Sequence, residues 1–180
     1  MEEPEPALIR AAAAGDLAAF ERLVRAFQEP VWRFLRRLLG DPVAAEDVAQ
    51  ETFLRVYRRL PTYAFRSRFS TWVFQIARNA GIDELRTRER HDRVRRAVTT
   101  PAASEGPAGA RVEIDAALAM LPVDQREAVL LVEVLGLRYA EAATVLSVPV
   151  GTVKSRVFGA RVRLAEWGRA DRVPEVGDEM

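Results

Sequence analysis

The sequence predicts an all-α fold of two small helical domains joined by a flexible linker. Three observations carry this. Apolar residues recur at spacings of three and four along most of the chain, the period of helices and not of strands. One stretch, Val98 to Ala110, reads VTTPAASEGPAGA and holds almost no large apolar side chain, so it cannot pack a core. From Gly136 to Leu164 two short helical patterns flank a turn. The expected boundaries are residues 7–96 for the front domain, 97–111 for the linker and 112–167 for the rear domain. A linker of that length spans well over roughly 20 Å as a random coil.

Composition excludes several function classes. With 180 residues, 49% of them hydrophobic, the chain can bury one or two cores. Net charge is only +1, so affinity for an acidic polymer must come from local patches. Cysteine is absent and His91 is the single histidine, so no metal site and no cofactor are expected. No apolar run approaches the length of a membrane span, and the start, MEEPEP, is the opposite of a basic signal peptide. A cytoplasmic protein without membrane insertion is expected. GTVKS lacks the upstream glycine of a phosphate-binding loop, and no nucleophile or acid–base constellation is present, so the chain is not read as an enzyme.

Residues 1–6 are expected to be disordered, and the chain reads helical from Ala7. Asp16 is a good N-cap for a helix over Leu17–Phe27, with Phe20, Leu23, Val24 and Phe27 as its apolar stripe. Pro30 is expected to open a third helix with Val31, Phe34, Leu35 and Leu38 inward, ending at Gly40. Asp41-Pro42 starts the next, Val43 to Leu60. Ala45, Val48, Ala49, Thr52, Val56 and Leu60 share one face of it, while the other carries Asp47, Gln50, Glu51, Leu54 and Arg58. An apolar Leu54 ringed by polar groups is what a small docking surface looks like. It is also a common accident on a soluble helix.

Between Tyr57 and Phe74 lie six of the fourteen aromatic residues, interleaved with arginines. Trp72 and Phe74 are expected to be at least half buried. The loop Phe65–Ser70, FRSRFS, puts rings and guanidinium groups together, the combination that stacks on unpaired bases and holds a strand's backbone. Asn79, on the following helix, can donate and accept toward a base edge; a solvent-facing helix polar is the plainer alternative. Arg86 to Arg96 then holds six arginines against Glu89 and Asp92, a phosphate-contacting segment or simply a solvated helix end.

In the rear half, Val112–Leu121 reads as a helix with Ile114, Leu118 and Leu121 inward, broken by Pro122. Asp124–Leu135 follows, capped by Asp124 or Gln125 and ended by Gly136. Tyr139, Ala142, Ala143 and Leu146 form one apolar face, Ser147-Val148-Pro149 interrupts it, and Val153, Val157, Ala160 and Leu164 form the next. Ser155, Phe158, Gly159 and Val162 point the other way, flanked by Lys154, Arg156, Arg161 and Arg163. Such a crest suits the major groove, with cations reaching phosphates. Periodicity alone fits a helical hairpin with a basic face equally well. After Trp167-Gly168 the tail is expected to fray.

The residues go further than the pattern. Leu121-Pro122, followed by GLRYAEAATVLSVPVGTVKSR, closely resembles region 4 of sigma-70-family transcription initiation factors, in particular the extracytoplasmic-function (ECF) group. AAEDVAQETFLRVYRRL and FRSRFSTWVFQIARNAGIDELR resemble region 2. The resemblance spans about residues 7–167. It implies a factor that binds core RNA polymerase, directs it to promoter DNA through −10 and −35 elements and assists melting, often under an anti-sigma partner. It implies polymerase contacts at Asp47, Gln50, Glu51 and Leu54. Contacts with a flipped base of the −10 element are implied at Phe65, Arg66, Ser67, Arg68, Trp72 and Asn79. Contacts with the −35 duplex are implied at Thr152, Lys154, Ser155, Arg156, Phe158, Gly159 and Arg163. Gly159 departs from the family, where many relatives carry a basic residue. The alternative is a stand-alone DNA-binding regulator that uses only the C-terminal helix pair.

Overall fold

A computed structural model describes residues 2–96 and 110–170. Among these residues there are eight α-helices and no strand: α1 Pro6–Ala13, α2 Leu17–Leu39, α3 Pro42–Arg59, α4 Phe69–Arg96, α5 Ala110–Ala119, α6 Val123–Val129, α7 Tyr139–Leu146 and α8 Val150–Ala170. The expected linker, 97–111, lies outside the described residues over 97–109, and its last two positions belong to α5. The tail beyond 170 lies outside them too.

Local chemistry sets most of the ends. Asp16 accepts a hydrogen bond from the Ala19 amide at 3.0 Å, and Asp41 accepts from Val43 and Ala44 at 2.9 and 3.3 Å. Gly40 ends α2 at φ 68°, a left-handed turn that costs glycine little. α1 to α4 pack about Leu23, Phe27, Val31, Phe34, Leu35 and Leu38 of α2, on which Phe69 and Phe74 close edge-on. The closest approach is at Gly81, where a Cβ would stand 2.9 Å from Leu38 Cδ2 and 3.0 Å from Leu35 Cδ2. In the rear half, Ala142, Ala143 and Leu146 of α7 meet Val153, Val157 and Ala160 of α8. Ser147 turns between them at φ 56°.

Five expectations need correction. Pro30 opens no new helix; it sits inside a single 23-residue α2. The buried stripe from Leu23 through Leu38 runs unbroken past it, and that burial outweighs one missing hydrogen bond. Phe20 and Val24 are not core but line a surface groove, Leu23 and Phe27 alone facing inward. Ile114 is 58% exposed, while Ala117, Leu118 and Leu121 are buried. The helix after Pro122 is capped by neither Asp124 nor Gln125: Pro122 occupies the cap, and the helix widens to a π turn over Leu130–Val134 before Gly136. Residues 2–5, expected to be disordered, are described, and Glu3 accepts hydrogen bonds from the Phe69 and Ser70 amides.

The two halves also touch. α4 packs on α7, and α2 packs on α5, α6 and the π turn. Arg126 donates to the Leu38 carbonyl at 2.9 Å and to Ala119 and Leu121, joining the end of α2 to the end of α5. Burial pushes its guanidinium pKa down. Asp115 holds Arg36 and Arg37.

Candidate functional site

Three surfaces gather the singled-out residues. The first is a groove of about 740 Å³ between α2 and α3. Gln50 and Leu54 of α3 line it, with Leu54 51% exposed. Asp47 and Glu51 stand on its α3 flank, Glu51 accepting from Arg55 Nε at 2.8 Å. The apolar wall comes from α2: Leu17, Phe20, Val24 and Trp32. Sequence reading missed this half. Its signal was present, because the apolar stripe of α2 is wider than one core contact needs.

The second surface starts at the loop before α4. Phe65 has a left-handed backbone, φ 55°, unusual for a bulky residue and strained. Its ring packs on Tyr63 at 4.7 Å between centroids, and the Arg10 guanidinium lies 5.1 Å from its centre. Tyr63 touches Trp72 and Phe69 in turn, and donates its hydroxyl to the Ser67 carbonyl at 2.6 Å, bracing the loop. Burial, followed by the negative charge of Glu3, raises the pKa of that phenol. Phe65, Arg66 and Arg68 are exposed, Ser67 and Trp72 half-buried, and Ser70 buried. Asn79 lies seven residues beyond Trp72 on the same helix face, about 10 Å along its axis. It lines a polar recess of about 340 Å³ with Arg55, Arg59, Arg78, Asp83 and Arg86. Trp72 and Asn79 thus follow one another along one side of α4, Trp72 half-buried and Asn79 exposed.

The third surface is α8. Lys154, Ser155, Phe158 and Arg163 are exposed, Phe158 at 70%, and Thr152 is half-buried. Two residues depart from the expected crest. Gly159 is half-buried against α6, where a Cβ would stand 3.1 Å from Gln125 Nε2. Arg156 turns inward to Asp124 at 3.3 Å and Glu127 at 3.6 Å. Both sit on the side of α8 that faces α6, which the crest pattern did not resolve. Sequence analysis also gave no sign that Arg78 and Glu127 would meet, at 2.8 and 3.0 Å.

Family models agree with this layout. Residues 23–91 match the model described as Sigma-70 region 2, and residues 111–164 the one described as Sigma-70, region 4. An ECF RNA polymerase sigma factor, SigC of Mycobacterium tuberculosis, is 41% identical over 165 residues, covering 89% of each chain. The chain belongs to the ECF group of sigma-70-family RNA polymerase sigma factors.

Another ECF sigma factor, SigW of Bacillus subtilis, is 30% identical over 169 residues, covering 83% of this chain and 89% of its own. Among solved structures, the sigma factor RpoE of Bartonella quintana, in complex with the anti-sigma factor NepR, superposes with a TM-score of 0.73 at 30% identity. It covers 85% of this chain and 98% of that one. CnrH, in complex with the cytosolic domain of CnrY, gives the same TM-score at 26% identity, over 91% and 96%. As an ECF sigma factor the protein is a transcription initiation factor: it binds core RNA polymerase, directs it to −10 and −35 promoter elements and assists melting. Among the described residues, no helix is long and apolar enough to cross a membrane.

Proposed function

We propose that residues 7–96 carry polymerase docking and −10 recognition, that residues 112–167 carry −35 recognition, and that 97–111 is the tether. The observation that carries this is the separation of three unlike surfaces on one short chain. The α2–α3 groove is apolar with an acidic flank, as a helix-docking site requires. Asp47, Gln50, Glu51 and Leu54 take the polymerase clamp, with Phe20 and Trp32 forming the opposite wall of the groove.

Phe65, Arg66, Ser67, Arg68, Trp72 and Asn79 take the −10 strand. Extracting a base from the duplex costs a few kcal/mol, and the Tyr63–Phe65–Trp72 ring cluster offers the stacking that offsets it. Thr152, Lys154, Ser155, Phe158 and Arg163 meet the −35 duplex. Arg156 joins them after leaving Asp124, and Gly159 contributes by letting α6 approach, with no base contact of its own. Tethering raises each module's effective concentration at the promoter, so neither needs to bind tightly alone. The factor works in the cytoplasm and catalyses nothing itself. An anti-sigma protein, such as NepR in the RpoE complex, is a fitting partner for the same groove.

Leu54→Arg tests the assignment. Polymerase pull-down and open-complex formation should fall at least about tenfold, while binding of an isolated −35 duplex by the same chain is unchanged. Unchanged transcription from a cognate promoter would favour the stand-alone regulator.

A further inference from the structure

A helix far from the aromatic loop in sequence supplies a cation to it. α1 packs on the turn at Leu60–Thr62 that leads into the loop. Ile9 and Ala12 are buried and pin α1 in place, while Arg10 between them is exposed. Its guanidinium lies over the Phe65 ring, 5.1 Å from the centroid. Phe65 is 42% exposed and its backbone is left-handed, so the ring stands at the surface with the cation on it. Arg68, in the loop itself, is held by Glu141 and Glu3. Among the described residues, no carboxylate pairs with Arg10.

We propose that Arg10 is a further contact of the −10 strand, holding the phosphate of the nucleotide whose base stacks on Phe65. This rests on the reading of the Phe65–Ser70 loop as the −10 site. A single strand is bound by stacking its bases on rings and by cations that track its backbone beside them. Base and phosphate of one nucleotide are tied through the sugar, so a base seated on Phe65 brings a phosphate within reach of a guanidinium beside that ring. Arg10 stands there already. When it turns from ring to phosphate it breaks no ion pair, and it exchanges an exposed cation–π contact for a stronger charge-assisted hydrogen bond. Because Ile9 and Ala12 fix the helix, only the arginine side chain has to move. α1 thereby adds a backbone clamp to a site whose ring and polar groups come from the loop and α4.

The experiment uses holoenzyme reconstituted from core polymerase and the full chain. The probe is a fluorescein-labelled fragment of a promoter that this holoenzyme transcribes, held open over the −10 element by mismatched strands. Binding is read by anisotropy across a salt series. Arg10→Ala should weaken binding at least about fivefold. It should also reduce the slope of log affinity against log salt by about 0.7, the share of one single-strand phosphate. Arg10→Lys keeps the charge without the planar fork and should restore the slope and most of the affinity. Polymerase pull-down and melting temperature should stay as in the wild type for both variants, because the side chain is exposed. Unchanged affinity in Arg10→Ala would overturn the proposal. Weaker binding at an unchanged slope, or no rescue by lysine, would overturn it too, leaving Arg10 as a prop for the Phe65 ring. The −10 reading is judged separately, by Phe65→Ala on the intact promoter: unchanged open-complex formation there would remove the loop's assignment, whereas a loss there beside an unaffected Arg10→Ala would remove Arg10 alone.

Discussion

Arg78 and Glu127 meet through two parallel hydrogen bonds, Nε to Oε2 at 2.8 Å and Nη2 to Oε1 at 3.0 Å, although 49 residues separate them in the chain. Glu127 is only 2% exposed. The two partners are therefore not equivalent. Freed of its carboxylate, Arg78 can swing into solvent; freed of its guanidinium, Glu127 keeps only Arg156, at 3.6 Å. Arg78→Ala should thus cost about 2–4 kcal/mol of stability, and Glu127→Gln about half as much. Urea unfolding monitored by Trp fluorescence checks the order, and the reverse order would mean that the arginine is the group that cannot reach water.

Acid should act on the second such contact. Burial works to raise the Glu141 pKa, but hydrogen bonds from the Arg138 side chain and amide and from Arg68 hold it at about 2, against an ordinary 4.5. A lowered folded-state value means that the stabilisation is complete above pH 4.5 and is lost as pH falls toward 2, by roughly 3 kcal/mol at most. Glu141→Gln should lower stability at neutral pH, where that stabilisation is fully present, and flatten the curve between pH 4.5 and 2. An identical curve for the two proteins would show that Glu141 is not the group that titrates.

Gly81 predicts a packing defect. A methyl group there would press on Leu35 and Leu38, both fully buried, whose side chains have nowhere to retreat. Gly81→Ala should destabilise by about 1–3 kcal/mol despite the better helix propensity of alanine. A gain in melting temperature would mean that the α2–α4 seam is looser than these distances indicate.

The two cations flanking Ser155 should behave differently. Lys154 is exposed, and Lys154→Ala should weaken −35 duplex binding on all sequences and reduce the salt slope by about one. Arg156 is engaged by Asp124 and Glu127. Arg156→Ala should lower the melting temperature as well as DNA affinity, whereas Lys154→Ala should leave it within about 1 °C. Altered sequence preference with an unaltered slope at either position would make that side chain a base reader.

What could be read in the sequence was what local chemistry decides. Asp16, Asp41, Gly40 and Gly136 act on backbone within a few residues of themselves, and each lies where its signal put it. The helix-pair faces from Tyr139 to Leu164 were legible for the same reason: a period is a local property. Contacts between distant segments were not. Nothing in residue order pairs Arg68 with Glu141, 73 positions away, or sets Gly159 against Gln125. The α2–α3 groove falls between. Leu54 stood out because its neighbours are polar, but Phe20 and Val24 were indistinguishable from core until a second helix left them half covered. Pro30 misled because its local preference is strong, and only the tertiary stripe it interrupts is stronger.

That proline leaves a mark on α2. Having no amide hydrogen, it cannot serve the Ala26 carbonyl, so the 23-residue helix carries one built-in gap in its ladder. The groove wall lies on both sides of the gap, with Leu17, Phe20 and Val24 before it and Trp32 after it, and both segments are anchored in the interior, by Leu23 and Phe27 on one side and Val31, Phe34, Leu35 and Leu38 on the other. Deuterium uptake in the turn around the gap should therefore exceed that of the helix on either side of it. A partner that grips the groove meets a surface able to adjust without loosening the interior behind it.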